Sequence, residues 1–202
     1  MKNRIYLLIF AIVIILSSCS TLVSKMYGIR QLDGFDEQRY NNFITKLKGH
    51  DNLVYIISDT VQYLNVIRLG QTLKEKNDLG QPVQILYFEN DILKSFHANC
   101  YARGGLKSIN WNTKDRFSVF LPISATESDS LKISLNDYIR IYPTIKRQKK
   151  KTYTVLIFWT LMLEKISYSA IETVLSNLKQ FEKKDETLVI LINSDKYFSS
   201  FE

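Results

Sequence analysis

Cys100 stands in Phe96-His97-Ala98-Asn99-Cys100-Tyr101-Ala102-Arg103, three residues after an imidazole and three before a guanidinium. A cation or imidazole beside a thiol lowers its pKa and makes the thiolate a nucleophile, so His97, Cys100 and Arg103 together would support thiol chemistry. The competing expectation is a buried, inert Cys100 at the end of a hairpin strand, because lone cysteines are among the most buried residues and no family signature surrounds this one. His97 and Cys100 cannot hold a metal by themselves. The other histidine, His50, is far away in the chain, so neither a metal nor another cofactor is expected. Asn110-Trp111-Asn112, behind Gly104-Gly105, has the composition of a ligand-contact loop, in which a ring stacks on a sugar or peptide while amides hydrogen-bond. The favoured alternative is that Trp111 plugs this loop onto the core. Lys146-Arg147-Gln148-Lys149-Lys150-Lys151 reads first as a solvated loop and second as a contact to phosphate head groups, worth about 1 kcal/mol per cation at an anionic surface. The chain shows no phosphate-cradling glycine loop, Ser-His-Asp constellation or paired-carboxylate motif.

The elements that must position these residues follow from apolar periodicity. Asp36 to Lys48 places Tyr40, Phe43, Ile44 and Leu47 on one helical face, with Gly49 as a stop. Leu53 to Ile57 reads as a buried strand, whereas Thr60 to Lys76 fits a helix capped by Asp59 or a strand face equally well. Gly80-Gln81-Pro82 breaks the chain, and Val83 to Phe88 with Ile92 to His97 forms a hairpin around Glu89-Asn90-Asp91. Phe117 to Leu121 is expected to be a short strand, Thr126 to Ser130 an exposed loop, and Leu131 to Ile141 either a helix or an edge segment. Thr154 to Trp159 is a continuous apolar run of the kind that parallel strands show when helices cover both faces. A helix over Leu163 to Phe181 and a strand over Leu188 to Ile192 complete a βαβ unit with parallel strands.

The N-terminus carries a separate message. Lys2 and Arg4 precede an apolar run from Ile5 to Leu16, too short to span a bilayer comfortably, and Leu16-Ser17-Ser18-Cys19 follows. This segment resembles a bacterial lipoprotein signal peptide with its lipobox. The resemblance implies that residues 1–18 are removed and that Cys19 carries palmitate or other acyl chains, which would tether residues 19–34 and a single globular domain, residues 35–202, to a lipid bilayer. Two or three chains hold a protein stably where one does not. Processing would remove two cations and no acid, lowering the formal charge from +7 to +5. That modest charge, on a chain held outside the cytoplasm, argues against nucleic acid as a partner and leaves lipid head groups or another envelope protein. Ser20 to Lys25 contains no acidic residue, which favours a periplasm-facing location. With Cys19 lipidated, Cys100 has no internal disulfide partner, and stability must come from packing by the 12 Tyr, 11 Phe and aliphatic residues.

The C-terminal βαβ unit, through Ile157-Phe158-Trp159-Thr160 and Ile192-Asn193-Ser194-Asp195, resembles the central strand-helix-strand of the thioredoxin superfamily over about forty residues. That family opens its helix with two cysteines, and the matching positions here are Leu163 and Ile166, so the resemblance implies a degenerate site without redox activity. Gly80-Gln81-Pro82-Val83 and its hairpin resemble the family's proline-led hairpin but precede the βαβ unit. The expected fold class is α/β, a mixed sheet with flanking helices in a thioredoxin-like or related three-layer arrangement. Three functions fit: a non-catalytic membrane-tethered binding or scaffold module, a thiol enzyme using Cys100, and a purely structural envelope lipoprotein.

Overall fold

A computed structural model describes residues 29–47, 53–71, 79–100, 102, 109–125, 132–148 and 151–200. The signal-peptide segment, Cys19, Arg103 and the 126–130 loop lie outside the described residues. The elements are α1 (Glu37–Lys46), β1 (Leu53–Ile57), α2 (Thr60–Gln71), β2 (Gln84–Glu89), β3 (Ile92–Ala98), α3 (Leu135–Ile141), β4 (Tyr153–Trp159), α4 (Glu164–Gln180), β5 (Thr187–Asn193) and the single turn α5 (Asp195–Phe198). Five strands form one mixed sheet in the order β1-β5-β4-β2-β3. β1, β5 and β4 run parallel, and β2 and β3 are each antiparallel to their neighbours. The chain is thus a mixed α/β fold with helices on both faces of the sheet.

The apolar run in β4 builds both cores because successive side chains of a strand point to opposite faces. Val155, Ile157 and Trp159 pack into the cluster with Tyr40, Phe43, Ile171 and Val174 from α1 and α4. Leu156 and Phe158 pack into the other, with Tyr63 and Val66 from α2 and Tyr138 from α3. Trp159 stacks with both Phe43 and Tyr40, at ring-centroid distances of 4.3 Å and 5.5 Å.

Local signals explain the boundaries. Asp36 accepts from the Arg39 amide and caps α1. The ambiguous segment after Asp59 is helical as far as it is described, and Asp59 accepts from the Gln62 amide at 2.7 Å. Ser134 and Asp137 form a reciprocal capping box that settles residues 135–141 as a helix. The hairpin turns on Asn90 and Asp91, with φ of 47° and 73°, the left-handed pair that a two-residue turn of the right twist requires. Gly80 (φ +91°) cannot carry a side chain, since a Cβ there would sit 2.7 Å from Ile67 Cγ1. The outer edge of β3 is closed by Ser124, whose hydroxyl accepts from the Phe96 amide, and by the Ala125 amide, which donates to the Phe96 carbonyl.

Two expectations are corrected. Phe117 to Leu121 is not a strand: the Phe117 and Val119 carbonyls accept from the Asn177 side-chain amide on α4 at 2.7 Å and 3.0 Å, where a strand would need a neighbouring backbone. The expected tether is partly body, because Ile29 pairs with Leu163, the Arg30 amide donates to the Met162 carbonyl at 2.8 Å, and Leu32 is buried in the core.

Candidate functional site

Open parallel sheets bind ligands at the carboxyl ends of their strands, so that edge is the first place to look. Here it is filled by the protein itself. The Asp195 side chain, buried at 0% exposure, accepts from the Thr160 hydroxyl at 2.6 Å, the Leu161 amide at 2.7 Å and the Asn193 side-chain amide at 2.9 Å. Ser167 Oγ accepts from the Thr160 amide and donates to its carbonyl, and Ser194 bonds the Trp159 carbonyl through both its amide and its hydroxyl. Ser58, at the end of β1, donates its amide to the Asn193 carbonyl and shares a 2.9 Å hydroxyl contact with Tyr142. Burial pushes the Asp195 carboxyl above its ordinary 3.8, against the downward pull of these hydrogen bonds and of the Arg39 charge. With both carboxylate oxygens occupied and no exposure, this cluster is a clasp between β4, β5 and the start of α4.

The residues expected to do thiol chemistry are kept apart by environment. His97 is 1% exposed, contacts Ser95 Oγ through Nε2 at 3.1 Å and lies 4.6 Å from the Phe117 ring. Burial, reinforced by the Arg116 charge, lowers its pKa to about 3, which leaves a neutral imidazole. Cys100, in the turn beyond β3, is exposed, and this overturns the expectation of a buried thiol. Its exposure follows from the end of β3 at Ala98, after which the chain leaves the sheet. A sealed imidazole with its Nε2 engaged is poorly placed to serve as base for a surface thiol. Among the described residues no group of three or more His, Cys, Asp or Glu side chains could hold a metal ion.

Trp111 is 3% exposed and belongs to the core, so it is the plug of its loop. The flanking amides fold the loop on itself: Asn110 Oδ1 accepts from the Asn112 amide at 2.8 Å, and Asn112 Oδ1 accepts from the Phe117 amide at 2.7 Å. Leu163 is 7% exposed and Ile166 is half-buried against the same core, so both positions serve packing.

What the loop builds is a groove. Between it and the outer face of α4 lies an open hollow of about 500 Å³, walled by Asn112, Phe117, Tyr168, Glu172, Thr173 and Asn177 among others. A second hollow of about 360 Å³, lined by Lys46, Glu164, Lys165 and Tyr168, adjoins it through the shared tyrosine. Tyr168 is 38% exposed and is braced edge-on against Phe43. Burial pushes the Glu164 carboxyl up, but the Lys46 hydrogen bond at 2.9 Å and the Lys46, Arg30 and Arg39 charges outweigh it and hold the group below its ordinary value. Sequence reasoning found Asn112 but not the α4 side of this groove. The available signal was the outward stripe Tyr168, Ser169, Glu172, Thr173, Ser176 and Gln180, unusually rich in hydroxyls and amides for an exposed helix face. Comparison with protein-family models, with curated proteins and with solved structures gives no match.

Proposed function

We propose that this chain is a lipid-anchored, non-catalytic binding module of a bacterial cell envelope, held to the bilayer through an acylated Cys19, facing the periplasm, and presenting the α4 groove to an envelope component. The observation that carries the reading is the contrast between two surfaces of one helix. At its start, where a thioredoxin-like fold would hold its thiols, Leu163 is buried and paired with Ile29, and the neighbouring carboxylate of Asp195 is fully engaged. Along its outer face a polar groove stands open. The thioredoxin-like element of the reading draws support from strand order: the β2–β3 hairpin lies beside the βαβ unit antiparallel to β4, although it precedes that unit in the chain.

The full chain in detergent micelles is expected to reduce insulin no faster than a protein-free control under dithiothreitol; a rate clearly above that control would overturn the non-catalytic reading. In cells fed labelled palmitate, the chain is expected to take up label and Cys19→Ala to remain unlabelled and unprocessed. Equal labelling of the two would remove the anchor from the proposal.

A further inference from the structure

We infer that the α4 groove is a binding site for a neutral oligosaccharide; this rests on the reading of the chain as a binding module and names what that module takes. The hollow of about 500 Å³ has the size of a small-molecule site, which typically runs to roughly 300–1,000 Å³. Its chemistry is selective. Ser169 and Ser176 offer hydroxyls, Thr173 a hydroxyl oxygen whose proton goes to the Ser169 carbonyl, and Gln180 an amide, with Glu172 as the single ionic residue among the described residues of that hollow. Hydroxyls and amides both donate and accept, so they match the vicinal hydroxyls of a pyranose, whereas an anionic ligand would call for cations, and none stands among the described residues of this hollow.

Tyr168 supplies the apolar complement. The residue is 38% exposed, stands where the two hollows meet and has its ring in edge-on contact with Phe43, so a sugar face can stack on it at little entropic cost. The floor is preorganised. Asn177, 2% exposed, spends its Nδ2 on the Phe117 and Val119 carbonyls and keeps an Oδ1 without a partner among the described residues. An extended peptide is the poorer occupant, because it is recognised through a backbone ladder and the wall here is a helix whose own backbone bonds are internal.

The test is calorimetric titration of the full chain in detergent micelles with tri-N-acetylchitotriose, maltotriose and trialanine, each up to about 10 mM, a range that captures dissociation constants in the millimolar band. At least one of the two sugars is expected to bind, and to bind at least ~tenfold more weakly to Tyr168→Ala, which removes the stacking ring, and to Ser176→Arg, which fills the groove. Ser176 is exposed, so the second variant keeps the test valid should the first disturb packing. Heat from neither sugar, or sugar heat unchanged in both variants, would overturn the inference. Heat from trialanine alone, lost in both variants, would overturn it as well, yet leave the binding-module reading standing. Insulin reduction would strike at that reading independently.

Discussion

Replacing Asp195 by alanine is expected to lower unfolding free energy by about 3–5 kcal/mol, because it leaves three buried donors without an acceptor at roughly 1–3 kcal/mol each before the site relaxes. Three donors converge on this carboxylate, the Thr160 hydroxyl, the Leu161 amide and the Asn193 side-chain amide, in a site with 0% exposure. Asp195→Asn keeps the shape but faces an NH2 group toward one or more of those donors, so it is expected to fall between wild type and alanine. Urea unfolding of the full chain, followed by near-ultraviolet circular dichroism, measures both. A loss under about 1 kcal/mol for the alanine variant would mean that the turn holds without the clasp.

Acid is expected to destabilise the fold through His97. Its pKa is about 3 in the folded chain against an ordinary 6.5, so below 6.5 the unfolded chain binds a proton that the folded one refuses. Unfolding stability therefore rises with pH across that window, is complete above 6.5 and is lost as pH falls toward 3. The linkage amounts to about 4 kcal/mol near pH 3.5. Asp195 works in the opposite direction, since its raised carboxyl keeps a proton in the folded state and favours folding at low pH. Comparing His97→Gln with wild type from pH 7 to pH 3.5 isolates the imidazole: the variant is expected to lose less stability over that span, and parallel curves would show that His97 is not sealed. Ser95 Oγ retains a polar partner in the glutamine variant, which limits the cost at neutral pH.

How far the residues alone reveal this fold depends on how local the determining interaction is. The β4 run was legible because five of its seven residues feed two cores at once, and no exposed strand reads that way. The capping pair Ser134 and Asp137 lies within three residues, and the hairpin turn within two. Phe117 to Leu121 has strand composition but is claimed by Asn177, about sixty residues on, and no periodicity carries a contact of that span. The exposure of Cys100 and the burial of His97, three residues apart, turn on where β3 stops. The same limit hid the groove. Asn112 was visible as an amide beside a tryptophan, while the hydroxyl-rich stripe facing it from α4 becomes a wall only when the loop is laid across the helix.

The tie between the Arg30 amide and the Met162 carbonyl sets the route by which force would enter this molecule. Tension arriving from the N-terminal side of Ile29 reaches the body at the turn joining β4 to α4, and the first bonds to bear it are that tie and the Ile29–Leu163 bridge. Behind them stands the Asp195 clasp, which passes the load to the end of β5 and so to the central strands, paired in parallel over seven residue positions. A handle attached there would fail by peeling residues 29–32 away before any strand slid, while the sheet stayed whole.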